Sequence, residues 1–322
     1  MIMLAVLMLI IDARTAYSGA VDGVELCLRT IIPVLFPFIV LSGMLNAYLL
    51  GSHVAIIKPF SRFCHVPAGA ESLLLMGFIG GYPVGAQCIN EAYEQGALSK
   101  KDATRMLAFC NNAGPSFIFG LCASLFDSIL IPLVLWMVHI TSALMIGFSL
   151  KSRPSKISIN NKFKIITLPQ AVDKGIKTTS TICGWVILFR IIITFLQKWF
   201  LWALPQSWQN GIIGVLELSN GCCDLFALPC YGQRFVICAL MLGFGGICVS
   251  MQTASIARSI WSSLYIKGKL LQSIISFMLA SILQFCLFPK VHQWRIPVVI
   301  YIAGITICVF LLMFFRKNSR FS

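Results

Sequence analysis

Charge is what this chain has least of. Only 11% of its 322 residues are Asp, Glu, Lys or Arg, against roughly 25% in soluble domains. Hydrophobic residues make up 58%, and the mean hydropathy is +0.87. A water-soluble globule is excluded, and an all-α, polytopic transmembrane helix bundle is predicted. No polar stretch exceeds Lys151 to Lys164, so no separate soluble domain is expected. Acids are scarcer than bases, 11 against 25, for a net charge of +14. That excess is clustered. Lys151, Arg153, Lys156, Lys162 and Lys164 share one acid-free stretch, and Arg316, Lys317 and Arg320 close the chain. Basic clusters beside apolar helices mark the cytoplasmic side of a membrane, with a weak pull toward anionic headgroups. Nucleic acid is not an expected partner.

Enzyme signatures are also missing. There is no His-Glu-x-x-His, Walker lysine, Gly-x-Ser-x-Gly or dinucleotide fingerprint, so neither an enzyme nor a cofactor is expected. Without an ATP site, any transport would be facilitated or ion-coupled. Cys-x-x-Cys pairs are absent despite 13 cysteines. Most of these lie in apolar runs, where a thiol packs as a small hydrophobe. Cys222, Cys223 and Cys230 come nearest to a ligand cluster, and no metal is predicted.

Apolar segments fall near residues 2–18, 26–51, 72–89, 106–126, 128–150, 179–203, 210–229, 234–256, 270–288 and 296–315. The start, Met1 to Ile11, lacks a basic leader and a small-residue cleavage site, and reads as a retained helix. The basic stretch 151–164 and a loop holding Arg258, Lys267 and Lys269 should both be cytoplasmic. Three apolar segments separate them, so one must enter and leave on the same face. The segment 210–229, with Gly211, Gly214, Glu217, Asn220, Gly221, Asp224 and Pro229, is the candidate.

Two glycine-centred breaks read alike: Gly77-Phe78-Ile79-Gly80-Gly81-Tyr82-Pro83-Val84-Gly85-Ala86-Gln87, and Gly243-Phe244-Gly245-Gly246 running on to Gln252. Ala20-Val21-Asp22 and Ala171-Val172-Asp173 each introduce an apolar helix upstream of a break. The order suggests two repeats, 1–150 and 167–290, joined by a basic loop at 151–166 and followed by a C-terminal helix and tail at 291–322. Paired interruptions in the two halves of a membrane protein point to a solute site.

At the first break Pro83 removes an amide donor and disfavours helix at Tyr82, while Gly80 and Gly81 admit close approach. Unwinding is favoured there. At Gly245 and Gly246, without a proline, unwinding and small-residue packing stand level. In Cys110-Asn111-Asn112-Ala113-Gly114-Pro115, two adjacent amides are costly if unpaired. A helix restarting at Pro115 would present free amides to an anionic or carbonyl-bearing solute, and an Asn cap closing one helix and opening the next explains the residues equally well. Between these motifs, Asn90 to Arg105 reads as a solvated interfacial loop, with Ser99 and Asp102 opening a helix. Glu217 is the ionisable residue expected to couple an ion or proton, with Arg190 as its partner. Alternatively Arg190 snorkels and Glu217 lies shallow.

Gly77-Phe78-x-Gly80-Gly81-Tyr82-Pro83-x-Gly85-Ala86 resembles the Gly-Phe-x-Ser-Gly-Tyr-Pro-x-Gly-Ala signature of the sporulation integral membrane protein YlbJ family. The run from Asn111 or Asn112 through Pro115 to Gly120 is similar to its Asn-x-x-x-Pro-Leu-Phe-x-x-Gly motif. Leu216 to Gly221 and Gly243 to Gln252 resemble its later Glu-Ile-Thr and Gly-x-Ser-Val-x-x-Gln motifs. The chain departs at Gly80, where serine is usual, at Gln87, where lysine is common, and at Cys248 and Ser250, where serine and histidine stand. The resemblance implies two gate-like halves of a nucleoside-recognition type, a multi-pass cytoplasmic-membrane location and a role in endospore formation. It also implies partners among the bilayer, a small polar solute or ion, and further copies or other sporulation membrane proteins. The candidate solute ligands are Gly80, Gly81, Tyr82, Pro83, Gln87, Asn111, Asn112, Pro115, Glu217, Asn220, Gly245, Gly246 and Gln252. The alternative is a non-transporting membrane scaffold for spore assembly.

Overall fold

A computed structural model describes residues 2–50, 54–150, 166–296, 300 and 302–307. Most of the basic stretch 151–166 and the tail residues Arg316, Lys317 and Arg320 lie outside the described residues. Those described form an all-α bundle with no strand among them.

The N-terminal arm is α1 (Ile2–Ile11), α2 (Ala13–Leu26) and α3 (Ile32–Leu49). A π-helical turn over Cys27–Ile31 joins α2 to α3. Asp12 caps α2 by accepting from the Thr15 amide. Ala20 to Asp22 therefore lie inside α2 rather than at a helix start. Next come α4 (Lys58–Phe63), α5 (Glu71–Ile79) and α6 (Val84–Glu94), then α7 (Lys100–Leu107) and α8 (Pro115–Gly120). At 1.5 Å per residue, α5 and α6 are each about 14–17 Å long. Neither crosses a hydrocarbon core of about 30 Å alone, so the apolar stretch 72–89 is a broken helix.

The remaining elements are α9 (Leu130–Ser149), α10 (Leu168–Trp199), α11 (Gln206–Leu216), α12 (Leu218–Asp224), α13 (Tyr231–Phe244), α14 (Gly246–Ile256) and α15 (Ser263–Leu287). Thr167 and Gln170 form a capping box at the start of α10. Five helical stretches are long and apolar enough to span a membrane: Ala13–Leu49, Leu130–Ser149, Leu168–Trp199, Tyr231–Ile256 and Ser263–Leu287. The protein is therefore a multi-pass membrane protein in contact with lipid. Between the third of these and the fourth, the 210–229 region is a broken pair, α11 and α12, each too short to cross.

Packing follows the small residues. Gly19 and Gly23 on α2 lie against the α10 backbone, where an added Cβ would come 2.9 Å from the Cα atoms of Ile191 and Ile187. This is a small-xxx-small contact. The segment 90–105 is not the solvated loop that its charges suggested. Asp102 and Arg105 are buried, as is Asn90. Arg105 donates to the carbonyls of Cys64, His65 and Leu150 and so ties three chain segments together. Burial holds its guanidinium below the usual arginine range, and burial pushes the neighbouring Cys64 thiol up to about 12. Ser99 does cap α7, accepting from the Asp102 amide at 3.1 Å.

Candidate functional site

Every helix interruption read from the sequence is real, and they converge. The chain leaves α5 at Ile79 and enters α6 at Val84, turning through Gly81 at φ 76°. It leaves α13 at Phe244 and restarts at once through Gly245 and Gly246, both with φ above 80°. Only glycine adopts that left-handed backbone without steric cost. Residues 111–114 are non-helical between α7 and α8. Glu217 breaks α11 from α12 with an extended backbone, φ −142° and ψ 121°.

The breaks touch each other through glycine. A Cβ on Gly114 would lie 2.8 Å from the backbone of Gly81, and one on Gly245 would lie 3.0 Å from the Tyr82 hydroxyl. A methyl on Gly77 or Gly85 would run into the Cys110 carbonyl. Tyr82 donates from its hydroxyl to the Leu242 carbonyl at 3.1 Å, so the first break is fastened to the second. The two readings weighed for these glycines, opened backbone and close packing, both hold.

A cavity of about 160 Å³ opens where the breaks meet. Gly81 and Tyr82, Gly114 and Ser116, Glu217 and Ser219, and Gln252 contribute to its wall. Apolar side chains of α3 and α10 supply much of the rest, among them Val34, Leu35, Ile182 and Val186. Arg29, paired with Glu25 at 3.1 Å, also borders it. Of the candidate ligands, Gly81, Tyr82, Glu217 and Gln252 line this space directly.

The others have different posts. Gly80 and Pro83 shape the turn between α5 and α6. Pro115 opens α8, a helix of six residues, too short for the strong positive end that one of the two readings gave it. Gly245 and Gly246 pack against Tyr82 and the Glu217–Leu218 break. Gln87 accepts from the Thr178 hydroxyl at 3.3 Å beside a separate small pocket. Asn220 donates to Glu217 at 2.7 Å and accepts from Arg190 at 3.0 Å.

Glu217 and Arg190 are thus joined through an amide instead of directly. Arg190 takes its ion pair from Asp22 at 3.0 Å. Glu217 is only 2% exposed. Its carboxylate accepts from the Ser219 and Asn220 amides as the N-cap of α12, the use that a helix N-terminus makes of an acid.

The larger surprise lies behind Tyr82. Lys269 on α15 is fully buried, although the sequence placed it in a cytoplasmic loop with Arg258 and Lys267. Its ammonium donates to Asn112 Oδ1 at 3.1 Å and Gln272 Oε1 at 2.9 Å. It lies 5.2 Å from the Tyr82 ring centroid and 5.9 Å from that of Tyr265. Gln272 in turn donates to Asn112 Oδ1 and the His139 carbonyl. Asn111 donates to Thr253 and Tyr265. His139 accepts from the Ala113 amide through Nε2 at 3.0 Å. Both asparagines are therefore fully engaged within the protein, away from the cavity wall. One signal could have found this layer. Tyr265, Lys269, Gln272 and Ser276 repeat at the four–three–four spacing of a single helix face.

Three thiols gather elsewhere. The sulfurs of Cys122, Cys222 and Cys238 lie within 4.8 Å of one another, all buried. Such a trio has the donor type of a soft-metal site, yet it sits in an apolar core. The cluster read from sequence does not form: Cys223 is exposed, and Cys230 donates to the His292 carbonyl.

No protein-family profile matches the chain, and no solved structure matches it. It is similar to the sporulation integral membrane protein YlbJ of Bacillus subtilis (strain 168). The two are 24% identical over an alignment covering 76% of this chain and 71% of that one. Coverage of that breadth agrees with motifs that run from Gly77 to Gln252 in the order found for the YlbJ family.

Proposed function

We propose that this protein serves endospore formation from within a membrane, the cytoplasmic membrane in this reading, by binding and gating a small polar solute. The observation that carries the reading is that three helix breaks far apart in sequence, at Gly81 and Tyr82, at Ala113 and Gly114, and at Glu217 and Leu218, line one cavity, with the fourth, at Gly245 and Gly246, packed against Tyr82 and Leu218. Broken helices are costly in a bilayer unless protein buries them or they line a wet space, and here part of each of three breaks faces the cavity. They are also the recurrent way in which transporters expose backbone groups to solute. The YlbJ relative supplies the sporulation context by its name. In this reading Gly81, Ser116, Ser219 and Gln252 offer backbone and side-chain groups to the solute, and Glu217 sets the sign of the wall.

Size narrows the solute. A cavity of about 150 Å³ holds a molecule such as benzene, and the space here is about 160 Å³. A nucleoside is much larger, so the reading favours a compact solute, or an ion with its waters. A thermal-shift screen of purified protein against small carboxylates, nucleobases, nucleosides and metal ions would identify it. Uptake of a hit into proteoliposomes would then be compared with Glu217→Gln and Gln252→Leu. Binding and uptake lost in both variants supports the reading, and uptake indifferent to both sinks it.

The scaffold reading also has an observation behind it. Glycine contacts at Gly77, Gly85 and Gly114 pack the breaks backbone to backbone, which a static assembly would need equally. It predicts that cavity variants leave sporulation intact while glycine variants abolish it.

A further inference from the structure

We infer that Asn112, Gln272, Tyr82 and Tyr265 form a binding site for a small monovalent cation, and that Lys269 occupies it as a tethered one. The geometry belongs to a cation site. Two amide carbonyl oxygens converge on Nζ at 2.9 and 3.1 Å. Two aromatic rings lie within 6 Å of it, where the negative face of a ring attracts positive charge. Among the described residues no carboxylate stands within ion-pair distance of Nζ. Buried lysines are rare and are almost always paired with an acid. This one is instead held as carbonyls and rings hold a free ammonium or alkali ion. Asn112 Oδ1 is oriented for the task, because its own amide group donates to the Phe109 carbonyl at 2.6 Å and the oxygen accepts from both Lys269 and Gln272.

The consequence concerns the gate. Asn112 sits in the non-helical 111–114 break, Tyr82 in the break between α5 and α6, and Lys269 and Gln272 on the continuous helix α15. A cation at this point holds two breaks against an unbroken helix. Where a chain with a neutral residue at 269 would need an ion from solution for that job, this chain supplies the charge itself. Its folded state should therefore be indifferent to the monovalent cation in the buffer. This inference stands whether or not the cavity on the other side of Tyr82 carries a solute.

Chemical rescue tests it. Lys269→Ala deletes Cγ, Cδ, Cε and Nζ, which are the heavy atoms of n-propylammonium. Full-length wild type and variant, purified in detergent, would be heated in chloride buffers of bulky N-methylglucamine with added n-propylammonium, sodium, potassium or neutral n-propanol. Unfolding would be read by tryptophan fluorescence. We expect the wild-type midpoint to be the same in all of them. The Lys269→Ala midpoint should fall by several degrees and recover in a saturable way with n-propylammonium, but not with n-propanol. Equal rescue by the alcohol, or rescue by none of the cations, overturns the proposal, because the position would then need only volume. If Lys269→Ala does not accumulate, Lys269→Met is read instead. That variant keeps the volume and removes the charge. A midpoint several degrees below wild type supports the site, and a midpoint equal to or above wild type overturns it.

Discussion

Tyr82 and Leu242 are 160 residues apart, and the phenol of the first donates to the carbonyl of the second at 3.1 Å. Leu242 lies in the last turn of α13, where carbonyls lose their partners within the helix. The break at Gly245 and Gly246 thus leaves an acceptor that the break at Gly80 to Pro83 satisfies. The first interruption answers a cost created by the second, and that bond fastens the two breaks together.

Tyr82→Phe tests that bond with little change of shape. The ring and its face toward Lys269 remain, while the buried Leu242 acceptor is orphaned. Leaving a buried polar group unpaired costs about 1–3 kcal/mol. A lowered unfolding midpoint in detergent, with the oligomeric state unchanged, is the expected result, and an unchanged midpoint would show that water or another donor replaces the phenol.

Glu217 acts as a helix cap before it acts as anything else. Its oxygens receive the Ser219 and Asn220 amides and the Asn220 side chain at 2.7–3.1 Å. Glu217→Gln replaces one acceptor by a donor facing those N–H groups. It should cost about 1–2 kcal/mol, the usual scale of a lost cap. Glu217→Asp keeps the charge and a good capping group and should be the milder change. Denaturant titration in mixed micelles would rank the two, and Asp ranking below Gln would show that reach matters more than charge.

The breaks were legible in the sequence because their chemistry is local. Gly81 beside Tyr82-Pro83, Gly114 before Pro115, and Glu217 inside an apolar run each violate helix preference at the residue itself. What those breaks face was not legible. Lys269 follows Lys267 by two residues, and the face it shares with Tyr265, Gln272 and Ser276 sets it apart from Lys267 without saying what that face meets. Its burial depended on Asn112 and Tyr82, which lie more than 150 residues upstream. The Cys122, Cys222 and Cys238 cluster was hidden for the same reason. The intervals between them are long and unequal, and only the fold makes them neighbours. The proposed boundary between halves had a subtler difficulty. Ala20-Val21-Asp22 looks like a helix start beside Ala171-Val172-Asp173, yet α2 already begins at Ala13 under its Asp12 cap.

Asn220 carries a relay between two charges, and a double-mutant cycle would measure it. Arg190 donates to Asn220 at 3.0 Å, and Asn220 donates onward to Glu217. Arg190→Met and Asn220→Ala should therefore be non-additive, with a coupling of about 0.5–3 kcal/mol, as for residues in one hydrogen-bonded network. Asp22→Asn should cost less than Arg190→Met, since the Asp22 side chain is 43% exposed and pairs near a surface are weak. Additive behaviour of Arg190 and Asn220 would mean that the amide holds Glu217 without help from the arginine.

Glycines separate cleanly into two kinds, and alanine tells them apart. Gly184 on α10 and Gly43 on α3 have nothing within 4 Å of an added Cβ. There alanine should stabilise by about 0.5–1 kcal/mol through helix preference and reduced freedom of the unfolded chain. Gly85 is also helical, but its Cβ would overlap the Cys110 carbonyl, a backbone atom that cannot rotate away. Gly85→Ala must push α6 from the 111–114 break, at a cost of about 1–3 kcal/mol or more for overpacking. The displacement should also open the seam at Gly81 and Gly114 and change the cavity that Tyr82 and Gln252 line. Unfolding midpoints of the three single variants decide the matter. A rise at Gly43 and Gly184 with a fall at Gly85 is expected. A neutral Gly85→Ala would mean that the breaks do not rest on each other, and the cavity between them would lose its structural basis.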